Sequence, residues 1–223
     1  PQLVAAELLQ GQAQRVAHLE MVAALKAREI EAYHEDLRVA LRLAQRYLNV
    51  RTNLPILAAS FAEPDGEAYR RARAELDGQL SQFPRAQPEI ADVMLLDPRG
   101  RVIYALSPGH VTSEIGQPLP AAFEEVASAA ESDVYLSPVR PNPRDGGRLG
   151  LLGAAPVRSE EGELLGLFVI EVRGEALGRI AAEATDLGGT GEVMLAVADG
   201  GGLTFLHGRR HEPAGAPLER LGF

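Results

Sequence analysis

The residues best suited to hold a small molecule lie in the run Tyr135-Leu-Ser-Pro-Val-Arg140. A short strand that bears a tyrosine and ends in an arginine presents an aromatic wall and a fixed cation. A guanidinium clamps a carboxylate through two parallel hydrogen bonds in a partly dry site. Tyr104 and Glu171 fall on neighbouring expected strands and would add a hydroxyl and an acceptor. The plainer reading makes Arg140 and Arg144 solvated loop charges and the tyrosines core filling. Other constellations carry less. His207 and His211 have a metal-ligand spacing if helical, but they adjoin Gly208 at a strand end with no third ligand near. Gly188-Gly189-Thr190-Gly191 lacks the Lys-Ser or Lys-Thr that a phosphate-cradling loop requires. Glu124-Glu125 and Glu160-Glu161 read as a helix surface and a turn. No nucleophile elbow, zinc-protease helix or paired-carboxylate motif stands out, so no catalytic residue, metal ligand or cofactor is expected.

Composition narrows the classes further. Of 223 residues, 46% are hydrophobic and 24% charged, enough for a sizeable core. A net charge of -9 opposes nucleic-acid binding, and aromatics at 5% with no Trp give no base-stacking platform. Without cysteine there are no disulfides and no thiol chemistry. The longest apolar stretches, such as Leu164 to Ile170, fall far short of the ~20 residues that span a bilayer. No signal peptide is visible. The chain opens in a helical pattern and stops at Phe223 in what reads as unfinished structure, as a piece of a longer protein would.

Positioning elements follow from periodicity. Gln2 to about Leu48 has no proline, one glycine and many strong helix formers, with apolar residues three and four apart. So long a helix needs a surface to lie against, and a second copy of itself through about Val16 to Tyr47 would serve. Arg51-Thr-Asn-Leu-Pro55 should break or re-cap it. A short helix to about Phe61 and another over Glu67 to Gln82 follow. From Ile90 the period changes to strand, turn at Asp97 to Gly100, and strand through Leu106. Leu119 to Glu131 reads as helix and Val134 to Val139 as strand. Leu149 to Val157 and Glu163 to Val172 form a hairpin around Ser159-Glu-Glu-Gly162, and Gly174 to Thr185 is a helix. The class is α+β: a long N-terminal helix, then a PAS-like antiparallel sheet flanked by helices. Asp92-Val-Met-Leu returns as Glu192-Val-Met-Leu, with a second hairpin expected at Ala198 to Gly202 in a separate sheet. The expected division is 1–51, a long dimerisation helix; 52–186, the PAS-like module; and 187–223, a truncated second copy.

These residues resemble a family. Asp92-Val-Met-Leu-Leu-Asp-Pro-Arg-Gly-Arg-Val-Ile-Tyr104, with Ile115-Gly116 after it, resembles the opening of a Cache sensor domain. Ala155-Pro-Val-Arg-Ser-Glu-Glu-Gly-Glu-Leu-Leu-Gly-Leu-Phe-Val-Ile-Glu171 resembles its closing hairpin. Gly189-Thr-Gly-Glu-Val-Met-Leu195 and Leu203-Thr-Phe-Leu-His-Gly-Arg-Arg-His211 resemble the second module of double-Cache sensors in histidine kinases. The resemblance covers about Thr52 to His211. It implies an extracytoplasmic (periplasmic) sensor of a bacterial membrane receptor, most like a sensor histidine kinase, with no catalysis in this segment. Its partners would be a small solute, anionic if Arg140 is its clamp, and a second copy through the N-terminal helix. Membrane contact would come only through segments absent from this chain. A chemotaxis-receptor sensor and a coiled-coil interaction scaffold are the alternatives. The family's amino-acid-binding branch uses a Tyr- and Trp-rich motif ahead of the sheet, which a chain without Trp does not support. His34-Glu-Asp-Leu-Arg38 resembles a kinase phosphoacceptor box but lacks its proline, and reads as a solvated helix face.

Overall fold

The computed structural model describes residues 2–107, 114–183, 192–198, 201–206 and 220–222, with residues 2–10 and 220–222 as backbone only. The chain forms two compact units, one of residues 34–176 and one of residues 1–33 with 177–223.

Helix α1 runs Gln2–Ala44. It ends sooner than the composition suggests: Arg46 and Tyr47 donate their N–H groups only three residues back, to Leu43 and Ala44, a tightened last turn. Helix α2 (Leu48–Ser60) then begins before Pro55, which sits inside it. The expected break at 51–55 is therefore displaced to 45–47. Asn53 does not cap; it donates to the Asn49 carbonyl and to Glu75 on α3 (Glu67–Leu80). A single turn, α4 (Gln82–Ala86), leads into the sheet.

In the larger unit β1 (Ile90–Leu96), β2 (Val102–Ala105), β3 (Tyr135–Leu136), β4 (Arg140–Asn142), β5 (Arg148–Arg158) and β6 (Leu164–Arg173) make one antiparallel sheet. Its order is β2-β1-β6-β5-β3, with β4 also on β5. The expected α+β class, long helix and antiparallel sheet flanked by helices are all present. The turn at 97–100 forms as expected, closed by the Asp97 carboxylate on the N–H groups of Arg99 and Arg101. Strand β3 is shorter than expected. Ser137 already spends its N–H on the Leu152 carbonyl and its hydroxyl on the Leu152 N–H, and Pro138 has no donor to continue the ladder.

Alternation gives the sheet two faces. One meets helices: Leu41 and Leu54 reach the sheet, Phe83 stacks on Phe168 with centroids 5.4 Å apart, and Tyr69 donates to the Ile103 carbonyl. The other holds a second apolar cluster of Met94, Leu96, Leu152, Ala154 and Val169. It is covered by Leu119, Phe123 and Val126 from a 3-10 turn (Ala121–Phe123) and the short α5 (Glu124–Ala129). The expected helix over 119–131 is thus only its middle part.

In the smaller unit the hairpin of β7 (Ala196–Ala198) and β8 (Gly202–Phe205) pairs with β9 (Arg220–Gly222) in a sheet of its own. Strand pairing starts at Ala196 rather than Glu192. The helical N-terminal segment exposes Val16, Leu19, Met21 and Leu25 at 53%, 53%, 62% and 52%, and buries Lys26 beside Glu29. Helix α6 (Glu175–Ala182) follows β6 in sequence. The glycine run 188–191 and both His207 and His211 lie outside the described residues.

Candidate functional site

The β1–β6 register sets Asp92 opposite Glu171, beyond Met94 opposite Val169, so two carboxylates sit at the end of an apolar face. Strand β4 brings Asn142 to the same end. The Asn142 side chain accepts the Arg144 N–H at 3.0 Å, starting a 3-10 turn (Pro143–Asp145) whose proline fixes the entry angle. That turn brings Arg144 to the sheet. Its Nη2 reaches Asp92 Oδ2 at 2.8 Å, Nε reaches Glu171 Oε2 at 3.0 Å and Nη1 reaches Glu114 Oε2 at 2.5 Å. Asn142 Nδ2 donates to Glu171 Oε1 at 2.8 Å, and Asp92 Oδ1 accepts the N–H groups of Val93 and Ser107, each at 2.8 Å. The side chains of Arg144 and Glu171 are 2% exposed and that of Asp92 0%. Every carboxylate oxygen of Asp92 and Glu171 has a donor, which makes burial of these charges tolerable.

Of the expected site residues, the structure brings three to this face. Glu171 belongs to the network. Arg140, opposite Gly150, donates to the Ala122 carbonyl at 2.5 Å, pairs with Glu125 at 2.9 Å and lies over the Phe123 ring at 5.7 Å, with 30% of its side chain exposed. Tyr135, opposite Ala154, packs against the apolar cluster. Tyr104 does not join them. It pairs with Leu95, not Met94, and so faces the helices, where its hydroxyl donates to Asp77 Oδ1 at 2.8 Å. The expectation that Tyr104 shares a pocket wall with Tyr135 is corrected on that ground. Asp92, Glu114 and Asn142 are not among the expected site residues, and the plainer reading of Arg144 as a solvated charge is also corrected. An aspartate heading the apolar strand Ile90–Leu96 was the available signal. Among the described residues no group of His, Cys, Asp and Glu side chains could hold a metal ion.

The phenols on the helix face have a pH signature. Burial raises Tyr104 far above its ordinary value, with the hydrogen bond its hydroxyl donates to Asp77 adding to it, and burial also raises Tyr69. Above about pH 10 the unfolded chain loses these protons while the fold keeps them, so the native state binds more protons and stability falls with rising pH. The slope should approach roughly 1.4 kcal/mol per pH unit for Tyr104, with Tyr69 acting in the same direction, and the contribution is whole below about pH 9. Urea midpoints across this range should show the fall, and Tyr104→Phe should flatten it. An equal slope in the variant would acquit that phenol.

No protein-family model matches the sequence, and none of the curated proteins does. Solved structures do. The sensor domain of the V. cholerae histidine kinase DctB superposes with a TM-score of 0.55 at 18% identity, over 77% of this chain and 60% of that one. A domain of a putative sensory box/GGDEF family protein from Vibrio parahaemolyticus gives 0.53 at 15%, over 73% and 62%. The ligand-binding domain of the Campylobacter jejuni chemoreceptor Tlp3, in complex with 4-methylisoleucine, gives 0.50 at 12%, over 74% and 60%. This chain spans about three fifths of the length of those domains. The shared feature is the fold.

Proposed function

We propose that this chain is an extracytoplasmic solute-sensing segment of a bacterial membrane receptor, most like that of a sensor histidine kinase. The observation that carries the reading is the covered, charge-bearing face of a sheet whose fold is that of sensor domains. Within it, Arg140 is the anion clamp and the short α5 is its latch. Glu125 neutralises the guanidinium while Phe123 and Val126 fill the face between Arg140 and Tyr135. A small organic acid replaces Glu125 on Arg140, lifts α5 and takes the apolar face beside Tyr135, with the Asp92–Arg144–Glu171 network as a rigid floor. A ligand acts by preferring one arrangement over the other. Two further features fit a receptor. Exposed Val16, Leu19, Met21 and Leu25 suit pairing with a second copy of the helix, and the separate β7–β8–β9 sheet suits a second, partial module of the double-Cache kind. Among the described residues no helix is long and apolar enough to cross a membrane. A chemotaxis-receptor sensor is the second reading, favoured by the superposition on a chemoreceptor domain.

A thermal-shift screen with succinate and related acids tests this. At 100 times its dissociation constant a ligand should stabilise by about 2.7 kcal/mol. Arg140→Ala should abolish the shift, Arg140→Lys should restore little because a point charge cannot reproduce the fork, and Tyr104→Phe should leave it intact. Sedimentation of the same samples should show a dimer. A shift that survives in Arg140→Ala would remove the clamp from the reading.

A further inference from the structure

A second cation-lined cleft opens far along β5 from Arg140. It has a volume of about 500 Å³ and is lined by Arg46 from the α1–α2 break, Arg51 from α2, Arg158 from the end of β5, and the hydroxyl residues Ser132 and Ser159. Such a volume is of ligand-pocket size.

The three guanidiniums are unequally engaged. Arg158 donates to two backbone carbonyls, of Gly162 at 3.0 Å and Glu131 at 2.5 Å, which fixes its position and leaves its charge unneutralised. Arg51 has Glu160 at 3.7 Å, beyond hydrogen-bonding distance, and its Nε is buried with no hydrogen-bond partner among the described residues. A buried donor without an acceptor is a penalty that a bound group can relieve. Arg46 is exposed. Against the three cations the lining sets two carboxylates, Asp133 and Glu160, and the Glu161 carboxylate also acts on Arg51. Ser159 Oγ accepts the N–H groups of Glu161 and Glu163, and its hydroxyl also bonds the Glu161 carboxylate. Several charge-assisted donors around one small cleft suit an acceptor with oxygens on more than one side.

We propose that this cleft binds a small soluble oxyanion of two or more negative charges, a phosphate or a polycarboxylate, at a site separate from Arg140. Arg158 and Arg51 would grip it and Arg46 would close over it from the helix break.

Isothermal titration with inorganic phosphate and with citrate, at constant ionic strength set by chloride, decides it. The expected result is a saturable site for at least one of the two anions. Arg51→Gln and, separately, Arg46→Gln should each weaken it about tenfold, the loss of one charge-assisted donor. The second variant alters an exposed residue, so it keeps the test valid if Arg51→Gln fails to fold. The saturable site weakened by the cleft variants should persist in Arg140→Ala, and any further citrate site lost there belongs to the Arg140 clamp. No saturable binding of either anion would overturn the proposal, as would binding unchanged in both cleft variants or loss of that site in Arg140→Ala. Association with phosphatidylglycerol vesicles without uptake of either free anion would also overturn it, by assigning the arginines to a lipid surface.

Discussion

Arg144→Met should destabilise the fold by about 3–5 kcal/mol, the range for removing one partner of a buried ion network. The methionine fills much of the space, so the loss is electrostatic. Asp92 and Glu171 would keep their burial and lose their shared cation, while Glu114, with 21% of its side chain exposed, would relax toward water. The surface pairs of Glu35 with Arg38 and Arg42 offer a contrast: all three side chains are at least 38% exposed, and breaking either pair should cost about 1 kcal/mol or less. The triple variant Arg144→Met, Asp92→Asn, Glu171→Gln separates charge from shape. An asparagine at 92 still offers an oxygen to the Val93 and Ser107 N–H groups, so much of the stability should return. Urea unfolding with matched m-values measures both. A loss under about 1 kcal/mol in Arg144→Met would mean that solvent already screens these charges, contrary to their burial. A triple variant no better than the single one would place the loss in packing instead.

The hydrogen bonds of this network also explain what sequence could and could not reveal. Hairpins closed by Asp97 and by Ser159 were legible because turn residues and strand alternation act within a few neighbours. The long helix was legible for the same reason. Its end was misplaced because Pro55 needs only a preceding break, and the chain supplies one at 45–47 through three-residue backbone bonds that no side chain announces. Strand β4 was missed because its three residues pair only with β5, a partner supplied by register rather than by local pattern. Tyr104 was put on the wrong face for a related reason. A register shift between Leu95 and Leu96 separates the parity of β2 from that of the turn, so counting from Asp97 cannot tell which side a residue faces. The plainer reading makes Arg144 a loop charge because Asn142-Pro-Arg-Asp-Gly-Gly147 announces a turn but not its direction. The direction comes from Asn142 holding the Arg144 N–H while donating to Glu171.

Gly166→Ala should be the most damaging small substitution in the sheet, at about 3 kcal/mol or more from backbone strain and overpacking together. Gly166 has φ +150°, and a methyl there would lie 2.1 Å from the Leu96 carbonyl oxygen and 2.9 Å from Leu54 Cδ2. Neither neighbour can yield cheaply. Leu96 is held in β1 by its ladder to β6, and Leu54 is fully buried in α2. The bare backbone at 166 is thus what lets α2 approach the sheet at the β6 end of its helix face. Gly162→Ala supplies the control, since it also sits at positive φ (+88°) but has open space where the methyl would go. That variant should lose only about 1–2 kcal/mol, the conformational part alone. The difference between the two, read from thermal or urea unfolding, isolates the steric contact between strand and helix. Equal losses would mean that the backbone of β1 and Leu54 do not close on Gly166. The damage should also stay local to stability. Asp92 and Glu171 each lie four residues further along β1 and β6 from the Leu96–Leu167 pair, roughly 13–14 Å away. Gly166→Ala should therefore keep the ligand shift proposed to depend on Arg140, separating the packing that holds the sheet against α2 from the charged face.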